Sequence, residues 1–292
     1  MSEEKKYNIY GIRDYQPVTL TKTNNIVEIQ YLSRRNTRAT IKKLDSERYM
    51  LLKTNEIKYF KKSSNRKDLT NSLYNTFKNL RYLINNNFIG LNNELFVTLT
   101  YRDNMTDLNT LYIDFKNFIK RFKYYMKDKT SIDYISVVEP QQRGAWHCHV
   151  LFRFNDLENV YIKNSVISEL WKKGFVNVKK LKNIDNVGAY LTAYLTDLSI
   201  DEIDGDIHGT IKDINGKKFV KGSRLNLYPP GTNIYRYSRG IIKPQRQLMS
   251  FKNAKTYVDG LKPTYVNKIE YKNVSEDFEN SIVYYYYNLK RK

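Results

Sequence analysis

Apolar residues recur every three or four positions at Leu69, Leu73, Phe77, Leu80, Ile84 and Phe88, which predicts an amphipathic helix over 66–88. The same spacing at Leu108, Leu111, Phe115, Phe118, Phe122 and Met126 predicts a second helix. Between them, Glu94-Leu-Phe-Val-Thr-Leu-Thr-Tyr101 is rich in β-branched and aromatic residues and reads as a strand. Ile26-Val-Glu-Ile-Gln-Tyr31 alternates apolar and polar, as a half-buried strand does. Strands are also expected at 133–139 and 146–153, joined into a hairpin by the turn chemistry of Pro140-Gln-Gln-Arg-Gly144. Residues 157–172 are expected to be helical, Phe175-Val-Asn-Val-Lys179 a short strand, and Asp185 or Asn186 the cap of a helix through Asp197. Beyond 200 the pattern weakens. Asn215-Gly216 suggests a hairpin turn, and 284–292 reads as a basic, tyrosine-rich tail.

The order α, β, α, β, β, α, β, α with a hairpin at its centre predicts an α+β fold, an antiparallel sheet flanked by helices. Three regions are expected: a β-rich N-terminal segment (1–62), the α+β core (63–200) and a C-terminal extension ending in the basic tail (201–292). No stretch approaches the 18 or so apolar residues that cross a bilayer, so no membrane partner is expected. The charged start at Met1–Lys6 lacks the apolar segment of a secretory signal, and the single Cys148 excludes an internal disulfide framework. A cytoplasmic protein is the expectation.

Charge narrows the partner. Fifty Lys and Arg against thirty Asp and Glu give a net charge of +20, spread along the chain rather than gathered on one amphipathic helix. Such a field suits a polyanion, and its interleaving with 26 tyrosines suits stacking on unpaired bases.

Two of the three histidines, His147 and His149, stand two apart on a predicted strand. Residues at that spacing share a face, so both imidazoles point the same way while Cys148 points to the other face as a small hydrophobe. A hairpin folded about Gln142 and Arg143 brings Glu139 alongside. Two imidazoles and a carboxylate with open positions suit Mg2+ or Mn2+ acting on a phosphate. Tyr190 and Tyr194 lie one turn apart on the last core helix and share a face. With so many tyrosines, a buried core face is the plainer reading of that pair by itself.

Taken in order, Phe96-Val-Thr-Leu-Thr-Tyr101, Val137-Val-Glu-Pro140, Gly144-Ala-Trp-His-Cys-His-Val-Leu151 and Asn186-Val-Gly-Ala-Tyr-Leu-Thr-Ala-Tyr194 resemble the motifs of HUH rolling-circle replication initiators of small phages and plasmids. Tyr235-Arg-Tyr-Ser-Arg-Gly-Ile-Ile-Lys-Pro244 also resembles a segment that follows the tyrosine motif in that group. The resemblance implies an HUH-type central antiparallel sheet, with His147, His149 and Glu139 as metal ligands and Tyr190 and Tyr194 as nucleophiles. It further implies nicking and transfer of single-stranded DNA at a replication origin, including one folded as a hairpin, through a 5′-phosphotyrosine, inside a bacterial host. One departure is visible: many relatives place a lysine three residues after a tyrosine, where this chain has Ala193 and Asp197. Lys179, Lys180 and Lys182 are the nearby substitutes. No phosphate-binding loop of the nucleotide-hydrolysing type is present, so a host helicase and polymerase are expected partners. A relaxase or single-strand transposase would use the same site on a different DNA. A non-enzymatic basic DNA-binding protein would share only the charge.

Overall fold

The computed structural model describes residues 10–35, 39–45, 47–60, 70–181, 184–199, 210–214, 217–273 and 278–291. In chain order the strands and helices are β1 (Pro17–Thr23), β2 (Ile26–Leu32), β3 (Ile41–Lys43), β4 (Arg48–Leu51), β5 (Ile57–Tyr59), α1 (Thr70–Asn87), β6 (Glu94–Leu99) and α2 (Leu108–Met126). They continue with β7 (Ile132–Pro140), β8 (Trp146–Phe154), α3 (Asn164–Trp171), β9 (Val176–Lys180), α4 (Val187–Thr196), β10 (Leu198–Ser199), β11 (Ile211–Ile214) and β12 (Lys217–Val220). A 3-10 turn (Ser223–Leu227) leads to β13 (Tyr235–Tyr237), β14 (Arg246–Ser250), α5 (Phe251–Lys255), β15 (Tyr265–Asn273) and β16 (Phe278–Asn288). The class is α+β with antiparallel sheets and a β-rich start, as the pattern predicts.

The chain forms two compact units, one of 22–26 and 70–245, the other of 1–21, 27–69 and 246–292. The first holds a five-stranded sheet in the order β13-β7-β8-β6-β9. β7 and β8 are the expected hairpin, with Glu139 opposite His147 and Val137 opposite His149. The hairpin closes through Gln141 N–H to Ala145 O (2.8 Å) and Gly144 N–H to Gln141 O (2.9 Å), and Gly144 takes the left-handed φ of 82° that this turn requires.

α2 is stopped at its start by Asp107, whose carboxylate accepts from Asn109 N–H and Thr110 N–H. It lays Phe118 and Phe122 against Phe152 and Phe154 on one face of β8. Cys148, further along that face, is buried in the same core. The opposite face of β8 therefore carries His147, His149 and Arg153, and Arg153 Nη1 donates there to the Asn87 carbonyl at the end of α1 (3.1 Å).

α4 begins at Asn186, whose side chain accepts from Ala189 N–H, and buries Val187, Leu191 and Leu195. Gly188 lets α4 approach α1. A Cβ there would stand 2.6 Å from the Arg81 carbonyl and 2.6 Å from Asn85 Oδ1. α3 starts seven residues later than 157, because Leu157 N–H and Val160 N–H bond Phe154 O and Asn92 O instead of entering a helix. β11 and β12 pair as the Asn215-Gly216 hairpin demands.

The second unit holds a sheet in the order β14-β1-β2-β16-β15 and the small meander β3-β4-β5. Residues 284–288, expected as part of a basic tail, are instead the end of inner strand β16. Val283, Tyr285 and Tyr287 are buried with Val18, Leu20, Val27, Ile29 and Phe251. Their period of two places the apolar rings on one face, and tyrosine fills that face as well as a β-branched residue does. Residues after 200 thus divide between the two units.

Candidate metal centre and tyrosine helix

The hairpin register places Glu139, His147 and His149 on one face, and their donor atoms all lie within 4.8 Å of one another. Glu139 Oε2 is 2.5 Å from His149 Nε2 and 3.7 Å from His147 Nδ1. Both Glu139 and His149 are buried at 2% exposure, and His147 is half-buried. Neighbours hold the two rings. Thr98 Oγ1 on β6 lies 3.1 Å from His149 Nδ1, Phe96 stacks on His149 with ring centroids 5.5 Å apart, and Gln141 Nε2 lies 3.2 Å from His147 Nδ1.

Burial, joined by His149, Arg143 and Arg224, outweighs the pull of Glu139 and pushes the His147 imidazole down to about 4. At neutral pH the ring is therefore uncharged and has a lone pair to give. Burial works to raise the Glu139 carboxyl, but His149, Arg224 and His147 outweigh it and hold it below the usual range, so it stays anionic. His147 Nε2 is buried with no hydrogen-bond partner. A buried ring nitrogen of this kind is under-satisfied as a purely structural group and suited to a ligand that engages the ring. Two imidazoles and one carboxylate that converge, each held in orientation by its neighbours, fit a divalent cation.

Arg224, on the 3-10 turn, is the residue that sequence reasoning missed. Its buried Nη1 donates to Glu139 Oε1 (3.0 Å) and Pro140 O (3.1 Å), and its Nε to Asp197 O (3.3 Å). Asp197 is the C-cap of α4, so one guanidinium ties the carboxylate of the cluster to the end of the tyrosine helix. Tyr228 adds a second tie, its hydroxyl lying 3.2 Å from Val138 O and 3.4 Å from Leu195 O. The available signal was an arginine set among apolar residues, Val220, Leu225 and Tyr228, all of them buried. Arg224→Leu is expected to cost about 3 kcal/mol, because it leaves the Glu139 carboxylate buried without its cation. Urea denaturation checks this, and a midpoint equal to wild type would mean the bridge contributes nothing.

Tyr190 sits on α4 with half of its surface exposed (50%), so it is not a core residue. Tyr194 lies on the same helix, one turn nearer Asp197, and its side chain is outside the described residues. Gly188 is occupied against α1 and leaves no room there for a nucleic-acid backbone, which removes one argument for Tyr190 as the first nucleophile. Of the candidate lysines, Lys179 is exposed on β9 and the register puts it on the His149 face; Lys180 Nζ donates to Asn159 Oδ1 (2.7 Å); Lys182 is outside the described residues.

A sheet whose central hairpin offers a Glu-His-His cluster, with a tyrosine helix tied to it, defines a class of protein that handles phosphodiesters. Residues 94–199 match a family described as "Replication-associated protein", of the ORF2 group. That stretch runs from β6 into β10 and contains Glu139, His147, His149, Tyr190 and Tyr194, while Arg224 and the 235–244 segment fall beyond it. The match supports a role in DNA replication and is consistent with a rolling-circle initiator. No curated protein matches the chain. Among the described residues, no helix is long and apolar enough to cross a membrane.

Proposed function

We propose that the protein is a metal-dependent single-strand DNA nickase and strand transferase of the HUH type that initiates rolling-circle replication of a phage or plasmid inside a bacterial cell. The observation that carries the reading is the convergence of Glu139, His147 and His149 on one sheet face, within a stretch matching a replication-associated family and tied by Arg224 to the helix that bears Tyr190 and Tyr194.

Glu139, His147 and His149 would hold Mg2+ or Mn2+, which when bound supplies Lewis-acid withdrawal of charge from the scissile phosphate. Arg224 keeps the Glu139 carboxylate aimed into the cluster, and Thr98 and Phe96 keep the His149 ring in one orientation. A tyrosine oxygen attacks phosphorus and forms the P–O bond of a 5′-phosphotyrosine. The bond from phosphorus to the 3′ oxygen breaks, and that oxygen leaves as a 3′-OH. The phenolic proton is lost to solvent or a nearby base and one proton is gained by the leaving oxygen, so the step is an exchange of one phosphodiester for another that needs no ATP. A second tyrosine would allow a second transfer that releases and closes the product circle.

Incubation with single-stranded oligonucleotides carrying the replicon's origin and Mn2+, followed by denaturing electrophoresis, tests the reading. A protein–DNA adduct and a fragment with a free 3′ end are expected, both absent with chelator. Tight binding without cleavage in either Mg2+ or Mn2+ would leave a DNA-binding protein only. Binding itself is expected to weaken roughly ten- to hundredfold between about 50 and 200 mM salt, since each neutralised phosphate releases counterions. A flat response in a fluorescence-anisotropy titration would separate the +20 charge from DNA contact.

A further inference from the structure

The Tyr235–Gly240 segment takes no part in the Glu-His-His cluster, yet it is built firmly into the sheet. β13 pairs with the β7 edge, Tyr235 opposite Val137 and Tyr237 opposite Ile135. Ser238 Oγ donates to Asp133 Oδ1 (2.8 Å) and accepts from Tyr134 N–H (3.0 Å). Gly240 packs so closely on Asp133 that a Cβ would overlap the carboxylate, and Arg153 (3.1 Å) holds the other oxygen of Asp133. The anchoring fixes the backbone from which Tyr237 and Arg239 project into solvent.

Between this segment and the end of α2 lies a cleft of about 720 Å³, lined by Lys123, Lys127, Tyr237 and Arg239. Its one carboxylate, Asp133, is already neutralised by Arg153. Among the described residues, neither Lys123 nor Arg239 is paired with a carboxylate. The helix dipole accounts for lysines at the end of α2. It does not account for Arg239 and Tyr237, which reach the same cleft from a different element. Tyr237 is 38% exposed and its ring stacks on that of Tyr235 at 6.3 Å, so an unpaired base could extend the stack. The β13–β7 register puts Tyr235 and Tyr237 on the face that carries Glu139 and His149. From Glu139 to Ile135, which faces Tyr237, is four residues along β7, roughly 13 Å.

We propose that this cleft is a second nucleic-acid subsite, which takes an unpaired nucleotide of the single-stranded DNA beside the cleaved bond. The base stacks on Tyr237, and Lys123, Lys127 and Arg239 hold the adjoining phosphates. The proposal rests on the reading of the protein as a single-strand DNA nickase and adds to it where the strand is gripped outside the metal cluster.

The test is binding of a fluorescent single-stranded oligonucleotide to the full chain in chelator, where no cleavage occurs. Tyr237→Ala is expected to weaken binding by roughly 5- to 100-fold, the range for loss of one stacked base, while Tyr237→Phe keeps the ring and binds as wild type. Lys123→Ala/Arg239→Ala is expected to weaken binding and make the salt slope shallower by about 1.4, from about 0.7 per lost phosphate contact. Lys116→Ala/Lys120→Ala, exposed on the same helix outside the cleft, removes the same charge and is expected to do less. Wild-type binding by Tyr237→Ala, an equal loss in the Lys116/Lys120 control, or tighter binding of RNA of the same sequence would each overturn the proposal. Should a variant fail to fold, wild-type protein cross-linked by light to a 5-iododeoxyuridine oligonucleotide decides the matter. A cross-link on the Tyr237 peptide is expected, and cross-links exclusively elsewhere refute it. Failure of the cleavage reading would appear as no adduct with the Tyr237 dependence intact. Failure of this subsite would appear as normal adduct formation with no Tyr237 effect.

Discussion

His149→Ala and His147→Ala are each expected to lower the rate of strand cleavage by at least about 100-fold while leaving oligonucleotide affinity in chelator within about threefold of wild type. Removal of partners that only brace a metal ligand costs roughly 10–100-fold, and these variants remove the ligands themselves. Binding is spared because the charge that draws DNA is distributed over the chain and His147 is uncharged at neutral pH. The two variants should differ in stability. His149 is buried against Glu139, Thr98 and Phe96, so its loss leaves a cavity and a less compensated carboxylate; His147 is half-buried and its loss is milder. Glu139→Gln keeps the volume and is expected to weaken the response to Mn2+, seen as a higher metal concentration for half-maximal cleavage. Full cleavage by both histidine variants would remove the metal assignment outright.

The residues of the cluster were legible in the sequence because their geometry is local. A Pro-Gly turn sets the hairpin, the hairpin sets the register, and a period of two then decides which side chains share a face. The helix of Tyr190 was legible for a similar reason, since Asn186 announces its start and Val187, Leu191 and Leu195 keep strict helical spacing. What escaped depends on contacts between segments far apart in the chain. Arg224 reads as one of many basic residues until the fold carries it back to Glu139. β16 reads as a tail because tyrosine is apolar in its ring and polar at its tip, so the inward pair Tyr285 and Tyr287 does not stand out from Tyr284 and Tyr286. Gly188 announces a close approach correctly, but a sequence cannot say what approaches; it is α1.

The double variant Tyr190→Phe/Tyr194→Phe is expected to abolish the covalent protein–DNA adduct, a fall of roughly three orders of magnitude or more, with no change in oligonucleotide affinity. The substitution removes one oxygen from each ring and keeps the packing, so a loss of adduct reports the nucleophile rather than the fold. Tyr190 is the choice for the first nick because its ring is half exposed on a helix otherwise buried through Val187, Leu191 and Leu195, an arrangement that leaves an aromatic side chain in solvent. Tyr194 would then make the second transfer. It stands within one turn of Asp197, whose carbonyl shares the Arg224 guanidinium with Glu139, so its position on the helix is held to the metal ligands. On this assignment, Tyr190→Phe loses the first adduct on a fresh single strand. Tyr194→Phe forms that adduct but fails to pass the bound strand to a second origin oligonucleotide. Reversed phenotypes would exchange the roles and keep the helix as the nucleophile carrier. An adduct that persists in the double variant would place the nucleophile elsewhere among the 26 tyrosines, and peptide mapping of that adduct would identify it.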